Sequence, residues 1–289
     1  MSIITIARCP VCGSDNLKKA FDAVDYFSTG EIFPVWDCVG CGFRFTNNFP
    51  SEDIVGRYYD SPDYISHSDS GKGLVNRLYH FFRKRMLRKK VRLVEAYAPR
   101  TGSPLRLLDI GCGTGYFLRE AAKRGWVVSG IEKDRKARES AARRTGIAVG
   151  DAQAFDGMES GSFDVVTLWH VLEHMENLNE TVDKIREILS PEGIAVIALP
   201  NCRSYDARFY KERWAAYDIP RHLWHFAPET VEALLARHGM RIVKKKRMPL
   251  DAFYISLLSE KYRGSSLPVK YARAFVVGSI GFIRSWRDV

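Results

Sequence analysis

Three clusters of residues in this chain could do chemistry. The first is Asp109-Ile110-Gly111-Cys112-Gly113-Thr114-Gly115, where an acid ends a short apolar run and three glycines follow at alternate positions. Without Cβ atoms, such a turn lets the backbone bend tightly and approach a ligand. The second is Cys9, Cys12, Cys38 and Cys41, two C-x-x-C-G pairs with 25 residues between them. Four thiolates make a closed tetrahedral metal site, which is structural rather than catalytic. Disulfides or a redox pair compete with that reading, and a cytoplasmic location disfavours the disulfides. The third is His170, Glu173 and His174, spaced i, i+3, i+4 and so on one face if the segment is helical. His222 and His225 lie further along, in Pro220-Arg221-His222-Leu223-Trp224-His225-Phe226. A neutral imidazole takes a proton readily near pH 7.

These clusters need elements to position them. An apolar run to Ile110 reads as a strand, and Tyr116 to Arg124 as a helix. A second strand over 127–131 ends at Glu132, followed by Lys133 and Asp134; a third over 147–149 runs into Gly150-Asp151-Ala152. Residues 162–170 are nearly continuous apolar sequence, as in a buried parallel strand. A helix over 177–190, a strand over 194–199, a helix over 231–238 and strands over 240–245 and 252–258 complete the pattern. Strands alternating with helices predict an α/β doubly wound parallel sheet, with its site beyond the carboxyl ends of the strands. Glu132 suits the hydroxyls of a ribose, and Asp134 suits a helix cap. The G-x-G-x-G spacing departs from the G-x-G-x-x-G dinucleotide cradle, and no Gly-Lys-Ser/Thr follows to make a nucleoside-triphosphate loop.

Over residues 104–258 this ordered set resembles the class I S-adenosylmethionine (AdoMet) methyltransferases, whose first motif is (D/E)-x-G-x-G-x-G. The resemblance implies a Rossmann-like seven-stranded sheet, order 3-2-1-4-5-7-6, with helices on both faces. It implies AdoMet held by Asp109, Gly111, Cys112, Gly113, Glu132, Lys133, Asp151, Ala152 and His170, with Asp151 on the adenine amino group and Tyr64 on a segment folding over the cleft. The stretch His170-Val171-Leu172-Glu173-His174 and the one around Arg221 to Phe226 are similar to a small-molecule branch that includes the ubiquinone-pathway O-methyltransferases. There an acidic-x-x-Glu-His set binds a divalent metal; this chain has His170 in the first place, which puts metal dependence in doubt. The implied reaction is O-methylation of a small-molecule acceptor, such as a sugar, quinone precursor or lipid-linked glycan. His174 is the expected general base with Glu173 orienting it, and His222 and His225 compete for the role. The cysteine pairs look like a zinc ribbon, with Zn²⁺ as a structural ion. A nucleic-acid methyltransferase using the ribbon and a basic helix competes, as does a non-catalytic zinc-ribbon adaptor. No Asn/Asp-Pro-Pro-Tyr/Phe set or Pro-Cys nucleophile supports the first, and the intact glycines and acids weigh against the second.

The 289 residues suffice for one large domain with a small one attached, and the expected divisions are 1–48 (ribbon), 49–100 (helical linker and lid), 101–262 (methyltransferase) and 263–289 (amphipathic tail). The net charge is +10, with cations clustered over 83–92 and 244–247. Such runs suit an anionic partner, whether a phosphorylated or lipid-linked substrate or RNA, or are simply a solvated helix face. Apolar residues over 274–283 flanked by cations are too few to span a bilayer and suit either docking on protein or peripheral membrane contact. Met1 to Arg8 lacks the pattern of a signal peptide, so the expected location is cytoplasmic, with peripheral contact at the inner membrane face as a variant.

Overall fold

The computed structural model describes residues 2–59, 74–100 and 102–285. They fall into two compact units, each built from separate stretches of chain. One comprises Met1–Tyr64, Glu173–Asn179 and Leu199–Val289; the other comprises Ile65–Leu172 and Glu180–Ala198. The expected divisions at 48, 100 and 262 do not coincide with these units.

The first unit opens with β1 (Ile3–Ile4), β2 (Leu17–Val24), β3 (Ile32–Cys38), β4 (Arg44–Thr46) and β5 (Phe49–Pro50). β1 and β5 pair antiparallel, and β2, β3 and β4 form an antiparallel meander. β3 buries Phe33 and Val35 on one face and Cys38 at its end. The β2–β3 turn is organised by the buried carboxylate of Asp25, which accepts hydrogen bonds from the backbone N–H groups of Phe27, Ser28 and Thr29.

The second unit holds α1 (Leu74–Glu95), β6 (Arg106–Ile110), α2 (Tyr116–Ala122), β7 (Val127–Ile131), α3 (Arg135–Thr145), β8 (Val149–Gly150), α4 (Ala152–Asp156), β9 (Phe163–Trp169), most of α5 (Leu178–Ile188) and β10 (Leu189–Ala198). Its five strands are all parallel, in the order β10-β9-β6-β7-β8. Leu107, Leu108, Val165, Val166 and Leu168 are fully buried, as strands covered on both faces require. On α1, Leu87, Val91 and Val94 face inward, Lys90 is half-buried with its ammonium 4.1 Å from the centre of the Trp169 ring, and Arg85, Arg88, Lys89 and Arg92 are exposed. The winding reverses between β6 and β9. Ligands of open α/β sheets bind beyond the strand ends at such a point.

The chain then returns to the first unit with α6 (Tyr205–Tyr210), β11 (Trp224–His225), α7 (Pro228–Arg237), α8 (Pro249–Tyr262) and α9 (Leu267–Arg284). β11 pairs antiparallel with β4, placing Trp224 opposite Phe45 and His225 opposite Arg44, and so completes a four-stranded sheet. Phe43, Phe45, Phe49, Trp224 and Phe226 pack around that join.

Among the described residues the parallel sheet has five strands rather than seven. Residues 240–245, expected as the sixth strand, lie in a segment without regular structure, and 252–258, expected as the seventh, lie inside α8. Short apolar runs do not separate strand from buried helix by periodicity. Here Pro249, at the start of α8, favours the helix. With no seventh strand to pair with, the sixth lacks a ladder, and its consecutive cations from Lys244 to Arg247 add nothing to hold it. α8 and α9 form a helical hairpin closed by small residues, Gly278 lying directly against the ring of Phe253.

Candidate functional site

The glycine loop leaves the carboxyl end of β6 and leads into α2. Gly111 has φ +68°, and a Cβ there would stand 2.4 Å from Cγ2 of Val171, the second residue after β9. Only glycine fits this crossing of the loops after β6 and β9. Gly113 donates its N–H to Oε2 of Glu132 at 2.8 Å, and Oε1 of Glu132 accepts the N–H of Asp134 at 2.9 Å. One half-buried carboxylate thus ties the loop after β6 to the start of the turn into α3. Asp134 caps α3, accepting from the Ala137 N–H at 2.7 Å.

The other expected cofactor residues take varied places. Asp109 is only 2 % exposed and accepts a 2.6 Å hydrogen bond from the Thr167 hydroxyl. Burial pushes its carboxyl up to about 7, against the pull of Thr167 and of Lys90. It stands beneath the loop as a support. Cys112 is buried against Gly130 of β7, its N–H donating to the Ile131 carbonyl. Burial raises its thiol far above the ordinary value. Lys133 and Ala152 are exposed, and Asp151 caps α4 through the Ala154 N–H. His170 is half-buried at φ +60°, its N–H held by the Ala198 carbonyl of β10. Tyr64 lies outside the described residues. Thr167 and Lys90 carried no sequence signal of their own; each acts through a contact distant in the chain.

In the first unit, Glu173, His174 and His222 come together, with one ligand atom of each within 4.8 Å of the others. The segment is not an α-helix with His170, Glu173 and His174 on one face. Only a three-residue 3-10 turn, Leu172–His174, forms. Glu173 is fully buried, and its carbonyl accepts the Leu223 N–H. Nδ1 of His174 lies 2.9 Å from the Arg221 carbonyl and 3.1 Å from the Tyr59 hydroxyl. A carbonyl can only accept, so Nδ1 carries the proton and Nε2 keeps its lone pair. Burial, then the neighbouring His222, push the imidazolium of His174 down to about 4. The ring is therefore neutral at neutral pH. His222 packs edge-on at 4.5 Å between ring centres and donates its Nδ1–H to the Ala216 carbonyl. Tyr59 is the member that sequence reasoning did not assign here.

His225 is directed elsewhere. On β11 its Nε2 lies 3.0 Å from the Thr46 hydroxyl, whose own proton goes to the His222 carbonyl. Nε2 is thus a donor, and the ring is fixed among Thr46 and Tyr217. Burial holds its pKa well below the ordinary histidine value. Arg221 is 3 % exposed and bonded to Asp218, Asp25 and the Tyr58 carbonyl. It clamps the segment before β11 to the β2–β3 turn.

The four cysteines form a second cluster in the same unit. Sγ of Cys9 is 3.6 Å from that of Cys41, and Sγ of Cys12 is 3.5 Å from that of Cys38; all four lie within 4.8 Å. A tetrahedral zinc with Zn–S of about 2.3 Å sets its sulfurs about 3.8 Å apart. The two turns are alike: Gly13 N–H donates to the Cys9 carbonyl, and Gly42 N–H to that of Cys38, each at 2.8 Å. Arg237 of α7 donates to the Pro10 carbonyl and Arg203 to that of Gly42, so later chain braces both turns. Burial pushes Cys41 up to about 11 and Cys9 further. Cys38 is shifted the other way: against its burial, hydrogen bonds from the Cys41 backbone and from neighbouring thiols lower it. Four thiolates packed this closely would need a bound cation to hold their charge.

A family model described as "Methyltransferase domain" matches residues 81–245, more than half of the chain. A ubiquinone biosynthesis O-methyltransferase of Brucella anthropi is 30% identical over 187 residues, covering 60% of this chain and 73% of that protein. Its namesake from Caulobacter vibrioides is 29% identical over 205 residues, covering 66% and 79%. Among solved structures, a candidate sarcosine dimethylglycine methyltransferase from Galdieria sulphuraria has a TM-score of 0.50 at 12% identity, covering 74% of this chain and 83% of that one. The last shows a shared fold alone. With the glycine loop, the acid after β7 and the parallel sheet, the family match makes this chain a member of the S-adenosylmethionine-dependent methyltransferases.

Proposed function

We propose that the chain methylates an oxygen of a small-molecule acceptor, with AdoMet held at the carboxyl ends of β6, β7 and β8. The observation that carries this is the Glu132 carboxylate, fixed by the N–H groups of Gly113 and Asp134. A carboxylate has about four acceptor sites, so two bonds to the backbone leave capacity for two ribose hydroxyls. Gly113, with no heavy atom within 4 Å of where a Cβ would stand, and Asp151 at the start of α4 complete the cradle. Asp109 supports it from below. AdoMet supplies an electrophilic methyl group on a sulfonium.

Oxygen as the acceptor atom is supported by the relatives named O-methyltransferases. An acceptor hydroxyl must lose its proton as the new bond forms, and His174 is the leading base. Its Nδ1–H is committed to the Arg221 carbonyl, which leaves Nε2 to accept. Tyr59 and the His222 ring hold its orientation, and Glu173 beside it stabilises the imidazolium that forms. Proton removal by a positioned base contributes ~10²–10⁴-fold. A second reading rests on the convergence of Glu173, His174 and His222, which could grip a divalent cation near the acceptor. Chelator treatment and Mg²⁺ restoration distinguish the two.

Zinc on Cys9, Cys12, Cys38 and Cys41 is the structural part of the proposal. Calorimetry tests the cofactor assignment: AdoMet and S-adenosylhomocysteine bind the wild-type chain, and Glu132→Ala weakens both by at least about tenfold, the loss of one charged hydrogen-bond acceptor. Failure of folded wild-type protein to bind either compound overturns it.

A further inference from the structure

α9 inverts the usual arrangement of a surface helix. Its buried face is made of small residues, Ala274, Gly278 and Gly281, with Val277, packed on α8. Its large apolar side chains point to solvent: Leu267 is 67 %, Tyr271 59 %, Phe275 67 %, Val276 53 % and Ile283 65 % exposed, and Tyr254 of α8 joins them at 63 %. A helix facing water carries polar residues on its outer side. Here six large apolar groups leave an exposed surface on the order of several hundred Å², the size at which a patch marks an interaction site.

The charges around the patch narrow the partner. α9 carries Lys270, Arg273 and Arg284 and no acid. Among the described residues, the acid paired to it, Glu260, is fully buried and holds Arg273 at 3.5 Å. Lys261 in the last turn of α8 and Arg263 just after it are exposed. A two-fold contact with a second copy would bring these cations against their own equivalents. An anionic bilayer surface complements them, accepts the aromatic rings at headgroup depth and needs no crossing helix. Among the described residues no helix is long and apolar enough to cross a membrane. We propose that the outer face of α9, with Tyr254, docks this unit in the plane of an anionic lipid bilayer, apolar side chains below the headgroups and cations among them. This surface lies beyond the residues matched by the family model.

The test is sedimentation of the full chain with vesicles, either equimolar phosphatidylglycerol and phosphatidylcholine or phosphatidylcholine alone. Wild-type protein is expected to sediment with the first and at least about tenfold less with the second. Phe275→Asp with Ile283→Asp, both at exposed positions, is expected to cut binding to the anionic vesicles at least about tenfold while AdoMet affinity and helical circular dichroism stay at wild-type values. Three results overturn the proposal: no binding to anionic vesicles, binding unchanged in the double variant (which assigns it to cations alone), or a wild-type dimer in sedimentation equilibrium that the double variant abolishes.

Discussion

Gly111→Ala probes the crossing on which the cofactor loop depends. The new Cβ stands 2.4 Å from Cγ2 and 3.1 Å from Cγ1 of Val171, at φ +68°. The left-handed conformation costs an L-residue about 1–2 kcal/mol, and forcing a methyl into filled space costs about 1–3 kcal/mol more. Gly111→Ala is therefore expected to lower unfolding free energy by about 2–5 kcal/mol. The steric part resides in two methyl groups, so Val171→Ala should recover it. In a double-mutant cycle by urea unfolding, the two changes should couple favourably by about 1–3 kcal/mol, leaving the backbone cost in place. Calorimetry should follow the same pattern: Gly111→Ala weakens AdoMet at least about tenfold, and Val171→Ala restores part of the loss. Wild-type behaviour of Gly111→Ala, or strictly additive effects in the cycle, would falsify the contact between the two loops and the reason given for glycine at this position.

Three further outcomes follow from the described groups. The folded-state carboxyl of Asp109 sits near 7 and its unfolded value near 3.8, so between these the folded protein holds a proton that the unfolded chain releases. Stability conferred at low pH is lost as pH rises through that window, by up to about 4 kcal/mol; Asp109→Asn should flatten the dependence in urea melts at pH 4–8, and an unchanged slope would count against the burial argument. With an acceptor in hand, His174→Ala should lower kcat by ~10²–10⁴-fold with AdoMet affinity intact, whereas Tyr59→Phe should change kcat by less than about tenfold; full activity in His174→Ala removes it as the base. Metal analysis should find one zinc per chain, lost in Cys38→Ser together with the β2–β4 meander but not with AdoMet binding, and a zinc-free, folded wild type would refute the assignment.

What was legible in the sequence was local. The glycine loop, Glu132 and the Asp134 cap lie within a few residues of the backbone groups they serve or at a spacing fixed by one βα unit, and the two cysteine turns close within six residues. What was not legible depends on which distant segments meet. Nothing in Trp224-His225 announces a strand, because a two-residue strand exists only through its partner β4. His225 resembles a base in sequence and is a core donor to Thr46 in three dimensions. Tyr59 and His174 are 115 positions apart. The apolar run of 252–258 fits a strand or a helix, and the small residues of α9 that let α8 pack as a helix lie well beyond it in the chain.

The late arrival of β11 sets the timing of assembly. The meander that carries the cysteines has a bare edge at β4 until Trp224 has been made, and Phe43 and Phe45 stay uncovered beside it. At synthesis rates of 5–20 residues per second, that interval is roughly 10–40 s. For that time the growing chain displays a sticky strand edge, and only the metal would hold the turns together. A fragment cut after β4 would keep that edge permanently. The cysteine-bearing meander is thus synthesised long before the strand that finishes it.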